Sequence, residues 1–224
     1  MRILVLGATG AAGGSLFDMA LVSPLICEVR TLSRRRIESD SAHHVGVEHA
    51  DLLDYRPVAD AFAGIDAAFY CIGRSVSQVG DEGAYRQLAF EGAEVAARQL
   101  AVSSPAAAFH YLSGQGASLQ SRQMWARVKA EAERRLIELH GAVCWRPGAI
   151  DARRTEGWPF FYPMTIRTMR WIFPSRRYYV RGEDLGRAMI EVAATNARAR
   201  ILENPEIRAI ADQVRARERT PRPG

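Results

Sequence analysis

Apolar positions along the chain fall into short, nearly unbroken runs separated by amphipathic stretches. Arg2 to Leu6 (RILVL) predicts a first strand, a glycine-rich turn follows, and Ala11 to Leu21 has a helical pattern. CEVRTL (Cys27 to Leu32) and VGVEH (Val45 to His49) predict the second and third strands, and Tyr55 to Ala63 a short helix. DAAFYCIG (Asp66 to Gly73) predicts the fourth strand, with a long helix from Glu82 to Ala101 behind it. AAFHYLS (Ala107 to Ser113) is the fifth strand, a helix begins at RQMWARVKAEAERRL (Arg122 to Leu136), and AVCWRPG (Ala142 to Gly148) is the sixth, stopped by Pro147. Near-continuous apolar strands alternating with helices predict an α/β fold, a doubly wound parallel sheet covered on both faces in the Rossmann manner.

After Gly148 the alternation weakens. An aromatic stretch from Trp158 to Phe173, a short strand RRYYV and a helix from Gly182 to Ala194 predict a small substrate-side region folded onto the sheet's C-terminal edge and not a separate domain. Residues 1–213 are therefore expected to form a single domain with substrate-side insertions after 148, and residues 214–224 a flexible basic tail. That tail carries four arginines against one glutamate, which is +3 of the net charge of +5. Basic composition of this kind is a weak footprint for nucleic acid, and no nucleic-acid-binding motif supports it.

The apolar run at the start is too short for a signal-peptide core or a membrane span, and no other stretch approaches spanning length. Cys27, Cys71 and Cys144 lack C-x-x-C spacing and read as buried reduced thiols of a cytoplasmic protein. His43, His44 and His49 fall in a loop and strand without supporting carboxylates or thiols, so no metal site is expected. His110 reads as a satisfied core residue and His140 as a helix-end cation; Tyr111 reads as packing.

GATGAAG places Gly7, Gly10 and Gly13 between the first strand and first helix, with Thr9 and Ala11 in the same turn. In a dinucleotide fold the first glycine permits the turn, the second lets backbone approach a pyrophosphate, and the third allows helix to pack on strand. The helix N-terminus then offers unpaired N–H groups to phosphate. The second strand ends in Ser33, Arg34 and Arg35, where an NAD-selective site usually has an acid. Guanidinium groups match a phosphate dianion, so NADP(H) is the expected cofactor; the alternative is a solvated basic loop.

Together with LGATGAAGG, TLSRRR, ADLLD, FYCIGRS, HYLSGQGAS, WARVKAEAE and CWRPGAI, in this order over about the first two thirds of the chain, the sequence resembles the short-chain dehydrogenase/reductase superfamily. More narrowly it resembles the atypical NAD(P)-binding branch that includes NmrA-like proteins and the Tat-interacting-protein (oxidoreductase-like) group. The resemblance implies that Asp51 and Leu52 lie beside the adenine, that Cys71 and Gly73 border the cofactor ribose, and that Pro147 and Gly148 border the nicotinamide. It implies Ser113 as the hydroxyl orienting a substrate carbonyl and Lys129 as the ligand of the nicotinamide ribose.

The chain departs from the family's Y-x-x-x-K pattern, since Trp125 stands four residues before Lys129. An indole N–H donates hydrogen bonds but is no usable acid or base. Gly114 stands where relatives often have a second serine, leaving Ser118 as a nearby alternative. Lys129 is nevertheless the only lysine beside 29 arginines. A compact ammonium suits a ribose clamp better than a planar guanidinium, whereas an exposed lysine paired with Glu133 is the ordinary alternative. Two functions are compatible with this: reduction of a small carbonyl, quinone or flavin by hydride transfer without the usual tyrosine, or NADP(H) sensing without catalysis toward a regulatory partner.

Overall fold

The computed structural model describes residues 1–73, 81–152 and 178–219. In chain order the elements are β1 (Arg2–Leu6), α1 (Ala11–Val22), β2 (Glu28–Ser33), β3 (His44–Glu48), a 3-10 segment (Arg56–Phe62), β4 (Ala67–Tyr70) and α2 (Glu82–Arg86). A π-helical turn (Gln87–Glu91) joins α2 to α3 (Gly92–Ser103); then come β5 (Ala108–Leu112), α4 (Met124–His140), β6 (Val143–Arg146) and β7 (Ala149–Asp151). The described chain continues with β8 (Tyr179–Arg181), α5 (Gly182–Ala194), β9 (Arg200–Glu203) and α6 (Asn204–Arg219).

Seven strands form one parallel sheet in the order β3-β2-β1-β4-β5-β6-β9, and β7 and β8 pair in parallel as a separate ribbon. The order of connection reverses between β1 and β4, which in such sheets is where ligands sit beyond the strands' carboxyl ends. Register brings the predicted residues to that edge. Leu6 lies opposite both Leu32 and Tyr70, Tyr70 opposite Tyr111, and Leu112 opposite Trp145. Gly7, Ser33, Cys71, Ser113 and Pro147 therefore all leave the sheet along one rim.

Alternation along β1 divides the interior. Ile3 and Val5 join Leu16, Phe17, Leu185, Met189, Ile207 and Ala211 under α1, α5 and α6. Leu4 and Leu6 join Phe62, Ala93, Leu100, Ala132 and Leu136 under α3 and α4. Successive side chains of a strand point to opposite faces, so a sheet covered on both sides needs apolar residues at every position. His110 is buried in β5, stacked on Phe69, and its Nδ1 accepts the Trp145 indole N–H at 3.2 Å. Its Nε2 has no partner, so it is only half satisfied, and burial pushes its pKa down to about 3.

The helix expected from Glu82 to Ala101 is interrupted by the π-helical turn. Tyr70 Oη donates to the Leu88 carbonyl at 2.7 Å, and Tyr111 Oη donates to the Ala89 carbonyl at 2.6 Å. A Cβ at Gly92 would stand 2.7 Å from Tyr70 Oη, so that glycine makes room for the hydroxyl. Tyr111 does pack, and it also pins the turn.

The tail reading needs correction for residues 214–219. They belong to α6, where Arg215 pairs with Asp184 at 3.1 Å, Arg217 with Glu191 at 2.7 Å, and Glu218 with Arg187 at 3.3 Å. Three ion pairs onto α5 hold what the sequence suggested would fray. Cys27 is exposed rather than buried, because β2 starts one residue later and Cys27 sits at the open end of the sheet; Cys71 and Cys144 are buried as expected. The aromatic stretch from Trp158 to Phe173 lies outside the described residues. Among the described residues no helix is long and apolar enough to cross a membrane.

Candidate functional site

The turn after β1 is built by two glycines for the protein's own packing and by a third that is free. Gly7 has φ +87°, and a Cβ there would meet the Cys71 and Ile72 backbone at 2.9 Å. A Cβ at Gly13 would collide with the Gly7 carbonyl, its carbon 2.8 Å away. At Gly10, by contrast, the nearest atom to a Cβ is the Gly7 oxygen at an ordinary 3.5 Å. Gly10 caps α1 without a side-chain bond, and the first turn contains no acidic residue. The first hydrogen bond into the helix runs from Gly14 N–H to Gly10 O at 2.8 Å, leaving the amides of Ala11, Ala12 and Gly13 without intrahelical acceptors. Thr9 is exposed beside them. This is a cradle for an anion, kept open by Gly10.

At the end of β2, Ser33 Oγ donates to the Arg35 carbonyl at 2.6 Å, which shapes the arginine loop and uses the hydroxyl's proton. Arg34 and Arg35 are exposed, and neither forms an ion pair with a described carboxylate. Arg36 instead lies against Gly46 and its N–H reaches Glu48 at 3.4 Å. Asp51 Oδ1 accepts the Leu53 N–H at 2.8 Å, and Leu52 packs on the α3 core. The histidines do structural work: His44 Nε2 is 2.8 Å from Thr31 Oγ1, His43 Nδ1 is 3.1 Å from the Cys27 carbonyl, and His49 Nε2 is 2.8 Å from the Asp54 carbonyl.

Lys129 is the centre of the other end. It is 7% exposed, its Nζ donates to the Leu112 carbonyl at 2.6 Å, and it lies 5.0 Å from the centre of the Tyr111 ring. The alternative of an exposed lysine paired with Glu133 is excluded, because Glu133 is itself buried and bound by Arg146 Nε at 2.8 Å and Nη2 at 2.5 Å. Burial pushes the Lys129 ammonium down to about 8, and the negative charge of Glu133 opposes the shift. The ion pair between Glu133 and Arg146, extended to Glu203 at 2.8 Å, was not anticipated from sequence. Its two carboxylates lie on different elements, and only the lone charged residue closing an apolar strand hinted at it.

One residue past Leu112, Ser113 is 7% exposed and its Oγ has no hydrogen-bond partner. Its N–H is held by the Trp145 carbonyl at 2.8 Å. An unmade bond at a buried hydroxyl costs about 1–3 kcal/mol, which a bound polar group would recover. Ser118, the alternative hydroxyl, is occupied with Gln120 at 3.1 Å. Trp125 Nε1 donates to Gln123 Oε1 at 2.6 Å, and its six-membered ring lies over the glycine loop, 3.6 Å from a Cβ at Gly114. Cys71 is buried beneath the glycine turn, with burial pushing its thiol up to about 12, while Gly73 stands in open space. At Gly148 a Cβ would lie 2.6 Å from the Tyr178 carbonyl carbon, so its small size serves the β7–β8 pairing. Pro147 is buried next to it and its carbonyl accepts the Gln115 N–H at 3.0 Å.

No protein-family model matches the chain. Among curated proteins it is 29% identical to Protein HTATIP2 of Rattus norvegicus over 164 residues, which is 70% of this chain and 66% of that protein. It is 25% identical to the mitochondrial Protein FMP52 of Eremothecium gossypii over an alignment of 224 residues, covering 95% of this chain and 98% of that one. Among solved structures, an oxidoreductase of the short-chain dehydrogenase/reductase family from Burkholderia thailandensis superposes with a TM-score of 0.69 at 16% identity, over 97% of this chain and 96% of that one. The Bordetella bronchiseptica enzyme WbmF in complex with NAD+ also gives 0.69, at 14% identity over 96% and 77%.

The chain is thus similar to HTATIP2 over most of its length, and its fold is that of the short-chain dehydrogenase/reductase structure. Ser113 follows β5 and Lys129 reaches the Leu112 carbonyl beside it, with Trp125 between the two in sequence. The residues present fit a nicotinamide dinucleotide: an open cradle at Gly10, an unpartnered buried hydroxyl at Ser113, and a buried ammonium at Lys129.

Proposed function

We propose that the protein binds NADP(H) and reduces a small carbonyl, quinone or flavin. The observation that carries this reading is Lys129, a desolvated cation fixed by the Leu112 carbonyl beside the unpartnered Ser113 hydroxyl. A buried charge is costly, and a protein holding its sole lysine in that state has a use for it. The amides of Ala11, Ala12 and Gly13 would take the pyrophosphate, Lys129 the nicotinamide ribose, and Asp51 and Leu52 would border the adenine. Pro147 and Gly148 would close the nicotinamide end, and Cys71 and Gly73 the ribose side. The bound cofactor supplies the hydride. Ser113 orients the acceptor's oxygen, and Lys129 favours negative charge as it develops there.

Arg34 and Arg35 support NADP(H) over NAD(H), because two exposed guanidinium groups without described partners stand where a 2′-phosphate would lie. Charge-assisted bonds contribute about 1.5–3 kcal/mol, so the double variant Arg34→Ala/Arg35→Ala should lose roughly tenfold or more in NADPH affinity while NADH is unaffected. Fluorescence titration of both nucleotides reads the difference, and equal losses would remove the arginine argument. The reaction is tested by following NADPH oxidation with quinones, flavins and aldehydes. The free thiols of Cys71 and Cys144 suit a reducing compartment such as the cytoplasm, which cell fractionation checks.

Trp125 favours a second reading, a non-catalytic NADP(H) sensor acting on a regulatory partner. Its indole N–H is tied to Gln123 and cannot serve an acceptor. Tight NADPH binding with no turnover on any acceptor would select the sensor.

A further inference from the structure

We propose that Tyr85 is the proton donor of the reduction, taking the place of the phenol missing at position 125; this rests on the reductase reading above. The fold brings Tyr85 to the wall of the site that carries Trp125. It lies on α2, which enters from the carboxyl rim of the sheet, and packs in one cluster with Val128, Ala89 and the partly buried Trp125. The residue before Lys129 and the residue at the vacated motif position are thus its neighbours. Val128 directly precedes Lys129, whose ammonium lies over the Tyr111 ring.

The other described phenols lie or point elsewhere. Tyr70 and Tyr111 donate to the carbonyls of the π-helical turn. Tyr55 has a buried hydroxyl without a partner, but it packs against His49 and Phe62, away from Trp125 and Val128. Tyr179 lies under Arg208 beside the ribbon, and Tyr178 is half exposed there. Tyr85 is 3% exposed, yet its hydroxyl makes no hydrogen bond among the described residues.

The helix around Tyr85 is fixed. Asp81 caps α2 through the Ala84 N–H at 2.9 Å, Arg86 pairs with Glu131 of α4 at 2.7 Å, and the two tyrosine hydroxyls clamp the π-helical turn that follows. Single π-helical turns recur at functional sites, and this one begins two residues after Tyr85. Burial pushes its phenol up to about 12, which keeps it protonated at neutral pH and suits a donor rather than a base.

The step balances with NADPH as reductant. An aldehyde carbon gains the hydride, the C=O π pair moves onto oxygen, and that oxygen takes the Tyr85 proton. The alcohol and NADP+ leave, and water returns a proton to the phenolate. Tyr85→Phe keeps the ring and the packing.

It should lower kcat for p-nitrobenzaldehyde by roughly 100-fold or more, the size of a general-acid contribution, with the NADPH Kd within about twofold. Placing Trp125→Tyr in the Tyr85→Phe background should restore the rate. A second readout is independent of turnover: the ultraviolet difference titration of wild type against Tyr85→Phe isolates this one phenol. Saturation with NADP+ should lower its pKa by about one unit or more, since a cationic ring nearby favours the phenolate. A Tyr85→Phe variant that keeps pace with wild type, or a titration that NADP+ does not move, overturns the donor role while leaving the reductase reading standing. A wild type that binds NADPH and turns over no acceptor overturns the reductase reading and the donor role with it.

Discussion

Replacing Lys129 with methionine should cost roughly tenfold to a hundredfold in NADPH affinity, since a charge-assisted bond contributes about 1.5–3 kcal/mol. The same change alters how stability depends on pH. In the native protein Lys129 releases its proton at about 8, against an ordinary value of 10.5. Between those values the unfolded chain holds more protons than the folded one, so stability rises with pH across the window. Below about 8 the lysine is charged in both states and the full cost of burying it is present. The variant lacks this group, whereas its other titrations are shared. Wild type should therefore gain on Lys129→Met as pH rises from about 8 to 10.5, by about 1.4 kcal/mol per unit at most. Paired thermal melts measure it. A constant gap between the two proteins would mean that the ammonium is not desolvated.

Alanine at Gly10 and alanine at Gly13 should fail in opposite ways. At Gly13 the new methyl runs into the Gly7 carbonyl and the turn must open. Overpacking of this kind costs about 1–3 kcal/mol, and more where the obstacle is backbone, so the melting temperature should fall. At Gly10 the methyl meets only an ordinary contact at 3.5 Å and φ is −81°, so the fold should accept it. What it fills is the cradle. Gly10→Ala should keep the wild-type melting temperature and lose nucleotide, and calorimetry on both variants separates the effects. A Gly10→Ala protein with undiminished NADPH binding would remove the pyrophosphate from this turn.

The sheet was legible because each central strand is an apolar run with a turn signal after it. The last strand and α6 were not, since Arg200–Glu203 is short and charged at both ends, and the chain around it reads as polar. One signal was present: Asn204, Pro205 and Glu206 form a helix start. The π-helical turn was invisible because Tyr70 and Tyr111, which hold it, lie far from it in sequence, although Gly92 within a helical pattern pointed to a close approach. For the site, the expected role of Gly10 came from the glycine spacing, and those of Ser113 and Lys129 from the family resemblance. Burial did not follow from either, and burial is what separates a clamp from a surface lysine. Nor did the spacing show that Gly148 makes room for the Tyr178 carbonyl.

The buried single lysine also gives the protein a built-in reporter. A protease that cuts only after lysine has one site in the whole chain, at Lys129 on α4. The bond is sealed while the helix is docked, so cleavage into two fragments counts molecules whose helix has come away. Nucleotide that engages the same ammonium would slow that count, turning a gel with two bands into an occupancy assay that needs neither a label nor a substrate.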